Sequence, residues 1–200
     1  VRGALDLGQP GGAVPLRAAA FVLAPAAEAK ARTLLLLEAD PRALGLREVD
    51  GRFTGSLETF ALVVSRETGG TSPLSRRVEV SLPVSAPWLS IPGELELKPG
   101  TYQARLVMRG PDGRLGAVQH EFTVPPSGLR VSTPVLSDVL QAGQPAPTAR
   151  SSFAPHGKLH VQFEVYGATR DPQAGTPRVS ARHELKRGDG TVISRSDFTP

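Results

Sequence analysis

The chain has 200 residues, 40% of them hydrophobic, with 21 glycines, 19 prolines and no cysteine. That length can bury a core without staples, and the missing cysteine excludes disulfides, thiol nucleophiles and Cys-ligated zinc. Charge is spread evenly, with 14 Lys+Arg against 13 Asp+Glu in residues 1–127 and 9 against 6 in residues 128–200, so the pI near 10 comes without a basic, aromatic-studded strand that would stack bases; no nucleic-acid partner is expected.

Val1 stands where an initiator Met would, and Val1-Arg2-Gly3 leads into no apolar signal region, so the chain is expected to start inside a longer protein. No stretch approaches the roughly 18 apolar residues of a membrane span. Residues 1–13, ending in Gly8-Gln9-Pro10-Gly11-Gly12, read as linker. Leu16 to Leu23 and Ala31 to Ala39 are apolar runs expected to form the first two strands. Asp50-Gly51 is a turn signal, and after it Phe53 to Arg66 alternates, with Phe60, Leu62 and Val64 on one face and Thr59, Ala61 and Val63 on the other.

Arg77 to Leu82 is the cleanest strand, with Val78, Val80 and Leu82 predicted inward, and Pro83 closes it. An irregular crossing carries the single tryptophan, Trp88, before Glu94-Leu95-Glu96-Leu97 alternates again. Pro99-Gly100-Thr101-Tyr102 opens a hairpin that turns at Gly110-Pro111-Asp112-Gly113 and returns from Leu115 to Val124. Gly-x-Tyr at the start of a late strand looks like the tyrosine corner of Ig-like sandwiches, whose phenol bonds backbone a few residues upstream, so Gly100 and Tyr102 are expected to be structural. The inward set would be Ala104, Leu106 and Met108. About seven strand-like runs and no sustained helical period predict an all-β, Ig- or fibronectin-III-like sandwich over residues 14–126.

Pro125-Pro126-Ser127-Gly128 marks a boundary, and residues 127–200 are expected to form a second sandwich module that is incomplete at its C-terminal end. In it, Leu129 to Leu140 is apolar, Gln141 to Gly157 is a Pro/Ala/Ser-rich loop, and Leu159, Val161, Phe163 and Val165 alternate. Arg178 to Lys186 reads as a further strand, followed by a turn at Gly188-Asp189-Gly190.

Little catalytic chemistry is written here. His156-x-x-x-His160 has a spacing that helices use for metals, but Pro155 and Gly157 work against a helix, so no metal site is expected. His120 and His183 fall in register with apolar neighbours and read as packed or rim histidines. There is no Gly-x-Ser-x-Gly elbow and no phosphate-binding glycine loop, so neither catalysis nor a cofactor is expected. Arg187-Gly188-Asp189 is an adhesion tripeptide, yet Asp189-Gly190 is also an ordinary turn. Trp88 is expected to anchor the core; the alternative is that Trp88 and Tyr166 form a stacking platform for carbohydrate.

Three segments carry a resemblance: Pro99 to Tyr102 with its hairpin, Ser127-Gly128-Leu129-Arg130-Val131-Ser132-Thr133-Pro134-Val135-Leu136-Ser137-Asp138, and Phe163-Glu164-Val165-Tyr166-Gly167-Ala168. Together they resemble the region downstream of the metal-binding domain in bacterial von Willebrand factor A-related proteins. The resemblance implies an exported or envelope-associated multidomain protein. That family's metal motif, Asp-x-Ser-x-Ser, begins at none of the eight aspartates here, so no ligand carries over. The functional expectation is a non-catalytic module that spaces or presents a neighbouring domain or protein partner, the alternative being a carbohydrate- or protein-binding sandwich.

Overall fold

Period-two alternation carries the first half of the chain into long antiparallel strands. The computed structural model describes residues 11–154 and 156–198, and these are all-β apart from one 3-10 turn at Pro41–Leu44. The first half holds β1 (Gly11–Gly12), β2 (Leu16–Pro25), β3 (Ala31–Ala39), β4 (Arg47–Val49), β5 (Arg52–Ser65), β6 (Thr71–Pro83), β7 (Leu89–Leu97), β8 (Gly100–Arg109) and β9 (Leu115–Val124). Of the segment read as linker, residues 1–10 lie outside the described residues, while β1 pairs with β9.

The strands form two facing sheets. In the six-stranded sheet β8 lies between β9 and β5, β1 flanks β9, β6 pairs along the far edge of β5, and β4 pairs with the start of β5. The three-stranded sheet runs β2-β3-β7. Asp50 and Gly51 both have positive φ (50° and 70°), the geometry of a two-residue turn whose twist suits the β4–β5 hairpin.

Between the sheets lies one apolar cluster, including Val22, Leu35 and Leu37 from the small sheet and Leu57, Leu106 and Met108 from the large one. Leu57 and Met108 are fully buried; truncating a side chain so placed costs about 2–5 kcal/mol. Both faces of β5 are apolar in sequence, and pairing decides between them. Thr59, Ala61 and Val63 lie opposite Met108, Leu106 and Ala104, which fixes the small-residue face inward and turns Phe60, Leu62 and Val64 outward.

One side of the sandwich is closed by the chain itself. After β1, the amides of Ala13 and Val14 both donate to the Leu115 carbonyl (3.0 and 3.3 Å), and the chain then crosses into the small sheet as β2. On the opposite side the chain crosses from β6 to β7 through residues 84–88.

The second half pairs only locally: β10 (Arg130–Val131) with β15 (Val165–Tyr166), β11 (Val135–Ser137) with β14 (His160–Gln162), β12 (Leu140–Gln141) with β13 (Gln144–Pro145), and β16 (Glu184–Lys186) with β17 (Val192–Arg195). The strand expected from Arg178 thus shortens to Glu184–Lys186. Apart from Val49, every exposed large hydrophobic side chain among the described residues lies beyond residue 128. This half lies against the outer face of the small sheet. Val22 N–H donates to Thr133 Oγ1 and Thr133 N–H to the Val22 carbonyl, both at 2.9 Å. Phe21 and Leu36, outward by register, are only 5% and 3% exposed.

Candidate functional site

The side between β6 and β7 opens into a slot between the sheets, about 150 Å³ in volume. Its walls are Leu35, Leu37, Ile91 and Leu106 with Leu74, and Thr59 and Arg76 supply polar groups. Two positions here break the pattern that builds the rest of the core. On β6 the inward register runs Leu74, Arg76, Val78, Val80 and Leu82, opposite Ala61, Thr59, Leu57, Gly55 and Phe53, so an arginine occupies a place that alternation reserves for an apolar side chain. On β7 the inward set is Ile91, Gly93, Leu95 and Leu97, so a glycine stands where the core would otherwise be filled. The Arg76 guanidinium reaches across the mouth of the slot and donates to the Pro92 carbonyl.

Neither residue stands out in the sequence, where the clean alternation through Val78 starts only at Arg77. Extending its period back by two residues would have placed Arg76 inward. Pro73, inside a strand whose far edge has no partner strand in the described sheet, obscured that extension.

A second cluster lies on the outer face of the small sheet. Arg17, Glu38 and Ser90 align across β2, β3 and β7. Glu38 is 2% exposed, yet its carboxylate is satisfied: Arg17 Nη2 is 3.0 Å away, Ser90 Oγ donates at 3.0 Å, and Thr148 Oγ1 from the second half donates at 3.4 Å. The Arg17 guanidinium carbon also lies 3.4 Å from the centre of the Trp88 ring. Trp88 is half-buried and outside the cluster between the sheets, so it does not anchor the core as expected; a cation covers one of its faces.

Tyr102 is buried, and its hydroxyl donates to the Lys98 carbonyl at 2.8 Å, four residues upstream. Gly100 beside it has φ +149°, and a Cβ there would come 3.0 Å from Glu67 Oε2. That carboxylate accepts from the Thr101 amide at 2.8 Å, a bond that holds Glu67 below the usual carboxylate pKa. From Tyr102 an aromatic row continues through Phe122 (5.6 Å between ring centres) to His120 (6.3 Å further). Burial pushes the His120 imidazole below its ordinary pKa.

Tyr166 is not brought to Trp88. Tyr166 pairs with Arg130 in the β10–β15 ladder, whose chain joins the small sheet at Val22, whereas Trp88 stacks at Arg17, about 17 Å away along β2 at the usual strand rise. The Tyr166 hydroxyl is buried and finds no hydrogen-bond partner among the described residues. His160 sits in β14 opposite Ser137, and among the described residues no group of three or more His, Asp or Glu could hold a metal ion. Arg187 to Thr191 closes a hairpin in which the Asp189 carboxylate accepts from the Thr191 amide at 2.9 Å. No helix among the described residues is long and apolar enough to cross a membrane. Comparison with protein-family models, curated proteins and solved structures finds no significant match.

Proposed function

We propose that this chain is a non-catalytic structural and interaction module of a larger exported bacterial protein, an Ig- or fibronectin-III-like sandwich that holds a neighbouring segment in a set orientation. What supports it above all is the way the second half is fastened to the first. The reciprocal Val22–Thr133 bonds grip one end of the small sheet, and Thr148 on the buried Glu38 grips the other. Hydrogen bonds at two separated points resist rotation where one would allow it, and a buried carboxylate that takes its third partner from the second half favours the docked arrangement. The tyrosine bond to Lys98 agrees with the Ig-like reading, and the resemblance to von Willebrand factor A-related proteins supports the exported, multidomain setting. The partner is then a neighbouring domain or another protein, with no cofactor required. Carbohydrate stacking has less support, because Arg17 already covers one face of Trp88 and Tyr166 lies elsewhere.

The test is rotational diffusion. Backbone ¹⁵N relaxation should return one correlation time for ordered amides of β2 to β9 and for those of β10, β11, β14 and β15. Two clearly different times would mean halves that tumble separately, and the orienting role would fall.

A further inference from the structure

We infer that the slot between β6 and β7 is a binding site for a small apolar monocarboxylate, an acyl or aryl acid of about six or seven carbons whose carboxylate pairs with Arg76. This goes beyond the scaffold role and does not depend on it.

Size and lining set the apolar part. About 150 Å³ between aliphatic walls is the volume in which an engineered protein cavity takes up benzene. The space exists because of Gly93. Its φ is not positive, so backbone conformation does not demand glycine there, and a Cβ would meet Leu74 Cδ1 at 3.3 Å, the far end of a flexible side chain. A larger residue at this inward position would occupy the slot, and glycine leaves it open.

Arg76 sets the charged part. Among the described residues the one hydrogen bond of its guanidinium goes to the neutral Pro92 carbonyl, and no carboxylate pairs with it. A guanidinium at the mouth of an apolar slot, with donors to spare, matches a carboxylate better than any neutral head group. Glu94, at the rim, belongs to the outward register of β7 opposite Leu34, away from the register of Gly93.

An added β-strand fits the slot less well. Pro92 has no N–H to offer, its carbonyl is taken by Arg76, and Pro73 in the facing strand β6 likewise lacks an N–H. These are the usual devices that discourage strand addition at a sheet edge.

The experiment titrates the 200-residue chain with sodium hexanoate, sodium benzoate and 1-hexanol, following amide shifts by NMR. Saturable shifts centred on Ala61, Gly93 and Arg76 are expected for both acids, with hexanol at least tenfold weaker than hexanoate. Arg76→Gln should abolish that preference. Gly93→Val should abolish binding while circular dichroism stays native; if that variant misfolds, Leu74→Phe serves the same purpose. Absence of saturable shifts, an unchanged acid preference in Arg76→Gln, or unchanged binding in folded Gly93→Val or Leu74→Phe would each overturn the assignment. So would concentration-dependent dimerisation abolished by Gly93→Val, which would make the slot a seat for a strand of a second copy.

Discussion

The Arg17 guanidinium, 3.4 Å from the centre of the Trp88 ring, is also the cation that neutralises the buried Glu38 carboxylate at 3.0 Å. One side chain therefore links the irregular crossing before β7 to the polar joint between the two halves. Glu38→Ala removes the partner of that cation and strands the hydroxyls of Ser90 and Thr148. A loss of about 2–3 kcal/mol is expected in urea unfolding, below the usual cost of about 3–5 kcal/mol for a broken buried pair, because Arg17 keeps some contact with water. Glu38→Gln, which retains an acceptor, should lose less.

Trp88 is the only tryptophan, so its fluorescence reports this joint alone. Acrylamide should quench it to an intermediate degree in the native chain. Arg17→Ala uncovers one ring face and should raise the quenching constant, whereas Tyr166→Phe should leave it unchanged.

At the tyrosine, Tyr102→Phe removes only the hydrogen bond to Lys98, and about 1 kcal/mol should be lost. Gly100→Ala should cost more, about 1–3 kcal/mol, since a side chain at φ +149° is strained and would also press on Glu67 Oε2. Chemical denaturation of the two variants side by side checks both the sizes and their order.

His120 gives stability an acid slope. Burial lowers its folded pKa, so the unfolded chain takes up a proton near the ordinary imidazole value of about 6.5 while the folded chain resists it. The contribution is whole above that pH, falls as pH drops from there through the folded pKa, and is gone below. Unfolding free energy measured from pH 7.5 to 5 should decline, and His120→Gln should flatten that decline.

Arg76→Leu restores the apolar alternation of β6 and fills part of the slot, so thermal stability should hold or rise. The same change removes the charge at the mouth of the slot, which guards the edge. Light scattering on heating should therefore show earlier aggregation than in the native chain.

How far the sequence could be read follows from how cleanly each segment alternates. The hairpin from Gly100 to Val124, the apolar runs of β2 and β3, and the turn at Asp50-Gly51 were legible because period two and turn chemistry agree there. The inward face of β5 was not, since both faces are apolar and only pairing with β8 chooses between them. The slot was hidden for a related reason: Arg76 and Gly93 look like ends of strands until the registers of β6 and β7 show them to be inward positions within them. Scarcity of aromatics points to a core anchor at Trp88, whereas its cation partner Arg17 holds it outside the cluster. In the second half Leu159 to Val165 alternates, yet the strands are short and their apolar side chains stay in water, so alternation there does not mark strand length.

In β3, Leu35 and Leu37 face the slot, while Leu36 and Glu38 face the second half. One backbone thus serves two compartments as a common partition. Close-packed interiors pass displacement on rather than absorb it, so a molecule that pushed Leu37 aside would also move Glu38, and with it the grip on Thr148. Occupancy inside the sandwich and the hold on what lies outside it would then be linked through a single strand.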